Sequence, residues 1–262
     1  MSEEGSHEIS FIHQRGDPIE NTFGRVNSLF GNFLLGTPEA SFQSPSKKLS
    51  EELKEKLKHI KTKGDIEAYM GHSPFFREMK RLFKDDRRTN KFLRYGLGIP
   101  STLYGSLLAG KLRRADHYNP FTEAIHVYHP NKAIALHEIG HALDFDKAKK
   151  PGLKAVAGIL PPFRLKNEWQ ASRNAMKFLD TEGQRDAARI LEPALGTYVG
   201  GFGASLLGKI TSLPVSAMTF LGSVALGHLH AAASEKNIFY NNDPVAFMGK
   251  KPLRTHGPVT KV

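Results

Sequence analysis

The stretch that most constrains this chain runs from Glu123 to Phe145, EAIHVYHPNKAIALHEIGHALDF. Residues 123–128 alternate with the period of a strand, Ile125 and Val127 on one side and His126 and Tyr128 on the other. His129-Pro130-Asn131 breaks that strand, and Asn131 is a good N-cap for a helix from Lys132 to Phe145. Ala133, Leu136, Gly140 and Leu143 supply that helix with a packing face. His137 and His141 lie four residues apart and point the same way, so two imidazoles can meet one ion. Glu138 is rotated by about 100° from His137. Its carboxylate then stands beside the ion position, where it can take a proton from a water. A strand, a turn and a chemically loaded helix are thus imposed on whatever surrounds them.

Composition narrows the chemistry. The 262 residues contain no cysteine, so disulfides, thiol nucleophiles and thiolate metal ligands are excluded. A metal centre must use His and carboxylate. Absence of cysteine, with the acidic, polar opening MSEEGSHE, is read as intracellular, with no secretory signal or transit peptide at this end. A hydrophobic content of 40% is ample for one sizeable domain with appended segments. The formal net charge of +11 favours acidic partners, anionic surfaces or nucleic acid. No RNP, helix-turn-helix or zinc-finger pattern accompanies it, which makes nucleic acid the weakest of the three.

Residues 1–45 mix Gly, Ser, Pro and Asn without sustained periodicity and are expected to be disordered or loosely docked. Ser44-Pro45-Ser46 marks a boundary. From Lys47 to Lys63, Leu49, Leu53, Leu57 and Ile60 recur at helical spacing against a charged face, with Ser46 or Ser50 available as cap. A second helical region is expected from about Ile66 to Tyr95. Between Ser46 and Ala115 there are 18 Lys and Arg against 8 Asp and Glu. This basic helical region, 46–115, is expected to pack on a catalytic core at 116–248 with its charges solvated.

A catalytic zinc usually takes three protein ligands. The continuation HExxHxxGxxH is absent, because Asp144 stands at the Gly position and Lys147 at the last His. A downstream carboxylate is required instead. In LKNEWQASRNAMKFL, Glu168 shares a helix face with Ala171, Ser172 and Ala175, small residues that let a second helix approach closely. Glu182 and Glu192 are the alternatives. Asp144, three residues after His141, is placed to accept a hydrogen bond from a ligand imidazole. The strand before the active helix offers an edge along which an extended peptide could pair.

HEIGH followed by EWQAS, with NPFTEAIHVY upstream, resembles the gluzincin arrangement. It is most similar to membrane zinc metallopeptidases: the CAAX prenyl endopeptidases, their heat-shock relatives and the neutral zinc metallopeptidases of bacterial membranes. The resemblance covers about residues 115–200. It implies Zn²⁺ held by His137, His141 and Glu168, with Glu138 as base. Ser172 stands where the prenyl endopeptidases carry Asp, and with Asp144 it is a candidate to support a ligand or the oxyanion.

From Pro193 to Gly208 and from Ile210 to Gly227 the chain carries no charge. Gly196, Gly200, Ala204 and Gly208 form a small-residue stripe suited to close helix contact. Divided near Pro214, residues 193–233 read as a hydrophobic helical hairpin, either crossing a membrane or packed as core, and the resemblance tips this towards the membrane. Tyr198, His228 and His230 are the polar residues there that could serve an oxyanion. Residues 249–262 form a basic tail. The expected fold is α+β, predominantly α: a zincin-like core with a small sheet and a hydrophobic helical hairpin. The expected function is a zinc-dependent peptidase acting on a peptide or protein substrate. The alternatives are a non-catalytic membrane or scaffold protein with a degenerate zincin fold, and a basic nucleic-acid-binding protein.

Overall fold

A computed structural model describes residues 7–14, 18, 20–34, 42–85, 87–207 and 213–241. In chain order these form β1 (Ser10–His13), α1 (Arg25–Leu34), α2 (Lys47–Leu57), β2 (Glu67–Met70) and α3 (Phe75–Leu82). Two short segments, α4 (Lys91–Leu93) and α5 (Ile99–Thr102), then alternate with the π-helical stretches Arg94–Gly98 and Leu103–Lys111. They are followed by β3 (His117–Asn119), β4 (Ala124–Val127), α6 (Lys132–Asp146), α7 (Pro151–Ala157), α8 (Pro161–Met176), α9 (Thr181–Leu207) and α10 (Leu213–Asn241). The architecture is α+β and mostly helical, with one small mixed sheet.

The sheet runs β1-β2-β4-β3, the first three strands parallel and β3 antiparallel to β4. Two expectations are corrected here. Ser10–His13, within a segment expected to be disordered or loosely docked, is the sheet's edge strand. Glu67–Met70, expected to be helical, is one of its two central strands, so the basic region supplies part of the sheet rather than a separate layer. The basic tail 249–262 lies outside the described residues.

One face of the sheet is apolar. Ala68, Met70, Ile125 and Val127 pack with Leu49, Leu53 and Leu57 of α2 and with Leu136, Ile139 and Leu143 of α6. Helix α2 is capped by Ser46, whose Oγ accepts from Leu49 N at 3.1 Å, and it ends at Leu57, short of the expected Lys63. The other face is polar and equally dry. Glu78 is fully buried, accepts from Asn119 Nδ2 at 2.8 Å, Thr122 Oγ1 at 2.7 Å and Ser106 Oγ, and meets His126 Nε2 at 3.2 Å. Glu67 takes two hydrogen bonds from Arg77, at 2.9 and 3.0 Å, and lies 2.8 Å from Arg81. Arg81, Arg87, Arg94 and Arg114 are all buried. Part of the basic charge expected to be solvated is therefore buried, and of these four Arg81 and Arg87 meet the Asp65 carboxylate.

The C-terminal helices also differ from expectation. Gly196 approaches Ser223, Gly200 approaches Phe220 and Gly227 approaches Glu192 and Pro193, closely enough that a Cβ would meet backbone at 2.5 to 2.9 Å. These pairings make α9 and α10 an antiparallel hairpin held by its small residues. The membrane assignment is overturned: among the described residues no helix is long and apolar enough to cross a membrane. Helix α9 starts twelve residues before Pro193 and carries Glu182, Arg185, Asp186, Arg189 and Glu192 in that first half. The apolar half is diluted by the glycines, serines and threonines that make the close contact. Gly208, the last residue of the expected small-residue stripe, lies outside the described residues.

Candidate metal centre

Helix α6 begins where the sequence places it. Asn131 Oδ1 accepts from Ala133 N at 2.8 Å and Ile134 N at 3.3 Å, so the cap is satisfied by side chain. The helix lies against α8 at minimal distance. A Cβ on Gly140 would stand 2.5 Å from Ala171 O, and Ala171 and Ala175 are completely buried. Asn174 Nδ2 also donates to Gly140 O at 3.3 Å. This contact carries Glu168 to the histidines.

Glu168 Oε2 lies 3.1 Å from His137 Nε2 and 3.2 Å from His141 Nε2. The three donor atoms fall within 4.8 Å of one another. Zinc bonds of 2.0–2.1 Å at tetrahedral angles separate adjacent ligand atoms by about 3.3 Å, close to both observed values. The donor set of two imidazoles and a carboxylate is the set that a cysteine-free chain can offer zinc. His137 Nδ1 lies 3.1 Å from Ser172 Oγ, and Ser172 Oγ donates to the Glu168 carbonyl at 3.0 Å. With its hydroxyl hydrogen engaged, Ser172 Oγ accepts a hydrogen bond from His137 Nδ1–H, so His137 Nε2 presents a lone pair to Glu168. Facing lone pairs repel unless a proton or a metal cation stands between them. These residues fit a zinc ion.

The electrostatics follow from burial and proximity. Burial pushes His137 down. At His141 burial acts the same way but is outweighed by the Glu168 carboxylate, and the imidazole is raised. Burial would raise Glu168, yet the charge of the His141 imidazole, the largest opposing influence, holds it far below the usual carboxylate range. Glu138, buried beside them, is raised to about 8, mainly because burial penalises its charged form.

Glu138, His141 and Glu168 line a cleft of about 240 Å³ walled by Asp116–Tyr118 and Pro120 on one side and by Phe145, Ala155, Ile159 and Arg164 on the other. Behind them a recess of about 130 Å³ is lined by Ile190, Leu191, Ala194 and Leu195 of α9. Tyr198 borders both. Burial, then the charge of Glu168, raises its phenol above the ordinary value.

The other sequence candidates are dispersed. Asp144 borders the cleft but is held by Lys154 Nζ at 2.5 Å, and Ser172 takes the imidazole role expected of it. His228 is exposed on α10 and borders neither cleft nor recess. Glu182 is exposed in the first turn of α9. Glu192 is buried and sits 2.8 Å from His230 Nδ1, so both are engaged with each other. The strand before the active helix is not an edge: β4 is paired on both sides, and the edge beside the cleft belongs to β3.

Two features were missed. Arg164 stands one turn before Glu168 on α8, a spacing that puts both on one face and could have drawn attention to it. Asp116 accepts from Tyr128 N at 2.6 Å, from His129 N at 3.2 Å and from His129 Nδ1, while His129 Nε2 meets Asn32 Oδ1 at 2.8 Å. No sequence pattern announces that cluster, since its members come from three separate elements. Comparison with protein-family models found no match, a search of curated proteins found no significant relative, and no solved structure matched significantly.

Proposed function

We propose that this chain is a zinc-dependent peptidase of gluzincin type with a zincin-like core. The observation that carries the reading is the convergence of His137 Nε2, His141 Nε2 and Glu168 Oε2 on one point beside a buried, otherwise unengaged carboxylate, Glu138. Zinc, when bound, would polarise a peptide carbonyl and acidify a water. His137, His141 and Glu168 would hold it, and Ser172 fixes the tautomer that makes His137 a donor.

Glu138 takes the proton of the attacking water as the water oxygen bonds to the carbonyl carbon. The same proton then passes to the amide nitrogen as the carbon–nitrogen bond breaks. The substrate would lie along β3, the last strand of the sheet, whose residues line the cleft. There an extended peptide adds a strand and carries its scissile bond past Glu138.

The test is metal analysis together with digestion of an unfolded protein such as β-casein. Glu138→Gln is expected to abolish cleavage and leave zinc content within error of wild type. Glu168→Ala is expected to lower zinc stoichiometry, whereas Glu182→Ala leaves it unchanged. Cleavage by zinc-loaded Glu138→Gln sinks the mechanism. Zinc that survives Glu168→Ala sinks the ligand set. A chain that takes up zinc and cleaves nothing returns the reading to a non-catalytic scaffold.

A further inference from the structure

Arg164 is held in place without being used up. Its guanidinium carbon lies 4.9 Å from the centre of the Tyr198 ring, a cation–π contact that steadies the side chain. Its Nε stands 3.8 Å from Glu168 Oε1, close enough for attraction but too long for a hydrogen bond. The side chain is 55% exposed and borders the cleft together with Glu138, His141 and Tyr198. A guanidinium carries five N–H donors in a rigid fork. Tyr198, which meets the guanidinium with its ring and its hydroxyl, and the distant carboxylate oxygen leave donors over for a ligand in the cleft.

Apart from Glu138, the cleft's other carboxylates and its lysine are already committed. Lys154 is clamped by Asp144 at 2.5 Å and by Asn167 Oδ1 at 2.8 Å, and Asp116 is satisfied by His129 and two backbone N–H groups. The two oxygens of Glu168 are divided, Oε2 towards the imidazoles and Oε1 towards Arg164. Arg164 therefore flanks the place where a carbonyl carbon under attack would sit, on a rigid helix and one turn from a ligand.

We infer that Arg164, steadied by Tyr198, is a further catalytic residue that binds the oxygen on which negative charge develops as water adds to the peptide carbonyl. The inference rests on the peptidase reading above. A donor of this kind contributes little to the planar ground state and much to the tetrahedral one, so its removal is felt in kcat. Charge-assisted N–H contacts from a fork to an anionic oxygen are also the geometry in which arginine outperforms lysine.

The experiment uses the full chain loaded with zinc, as wild type, Arg164→Ala and Arg164→Lys. Two ligands are titrated calorimetrically: N-phosphoryl-Leu-Trp, which presents a tetrahedral anion, and a hydroxamate of the same dipeptide, which is planar. Arg164→Ala is expected to weaken the phosphoryl ligand by about 10²-fold and the hydroxamate by less than about threefold, with zinc stoichiometry unchanged. Arg164→Lys should recover part of the loss. In β-casein digestion kcat should fall by about 10²-fold with KM steady, and millimolar guanidinium should restore part of it to Arg164→Ala.

Equal losses for both ligands, or none, overturn the inference. So does lost zinc, which would make Arg164 a residue that orients Glu168. A raised KM at unchanged kcat overturns it as well, in favour of a site for a substrate carboxylate. A wild-type protein that binds zinc and the hydroxamate but not the phosphoryl ligand refutes Arg164 alone. One that binds neither zinc nor the hydroxamate refutes the metal centre, and the inference falls with it.

Discussion

His137 is useful to a metal only in one tautomer, and a single hydroxyl decides which. Ser172 gives its own hydrogen to the Glu168 carbonyl, one turn back along α8, and so must accept from His137 Nδ1. Replacing it by Ala removes the partner that holds the imidazole and leaves the helix intact. Partners of this kind are worth about 10–100-fold in metal affinity. Ser172→Ala is accordingly expected to weaken zinc binding by at least tenfold, read by competition with a colorimetric chelator, while the far-ultraviolet dichroism stays as in wild type. Unaltered affinity would show that the tautomer is fixed elsewhere. At this scale the sequence was readable where one helix supplies the geometry: the spacing of His137, Glu138 and His141 needs no tertiary information. Across helices it was readable in part: the small-residue face pointed to Glu168, which the fold sets beside both histidines, but not to which of Asp144 and Ser172 would meet His137 Nδ1. Asp144 is closer to His137 in the chain than Ser172 is, yet Lys154 claims it and Ser172 arrives from thirty-five residues away.

Between elements, the site depends on how near α8 can come to α6. Gly140 faces the Ala171 carbonyl, and a methyl group there would meet backbone at 2.5 Å, which no side-chain rotation relieves. Gly140→Ala must push the helices apart. Overpacking of this sort costs about 1–3 kcal/mol, and the same displacement draws Glu168 from the histidines. We expect a lower melting temperature and reduced zinc stoichiometry in one variant. A protein that melts lower but keeps full zinc would separate the packing from the ligand geometry and count against this account of the site. The helices themselves were legible because caps and periodicity are local: Asn131 before α6 and Ser46 before α2 both appear in the sequence as in the fold. The strands were less so. All four residues of β2 are buried, its alternation of Glu67 and Tyr69 with Ala68 and Met70 is only four residues long, and Glu67 is tolerated there because Arg77 and Arg81 meet it from α3. Nor can a sequence show that β4 lies inside the sheet while β3 forms the edge.

Across the whole molecule the sheet divides two unlike interiors, one aliphatic and one built of charged and polar groups. That division changes the meaning of the +11 charge, since Arg81 and Arg87 bind Asp65, and Arg88 binds Asp146. It also makes the fold sensitive to acid. Burial lowers His72 to about 4, and burial together with the neighbouring His126 lowers His117 to about 4. Both are neutral in the folded protein at pH values where an unfolded chain, with histidines near 6.5, is already taking up protons. The unfolded state therefore binds more protons between about 6.5 and 4, and stability rises with pH across that window. Their contribution is complete above pH 6.5 and drains away as pH falls towards 4. Glu67 and Glu78 add a second loss. Burial would raise them, but Arg77 and Tyr69 at the first, and His126 at the second, hold each at about 2, so their share disappears between about pH 4.5 and 2. Each histidine accounts for roughly 2 kcal/mol once pH 4.5 is reached. The melting temperature is expected to fall steadily from pH 7 to 4.5 in a calorimetric series, and His72→Phe, which keeps the ring against Tyr69, should flatten that slope. A melting temperature that stays level over this range would mean that the polar interior admits protons without opening.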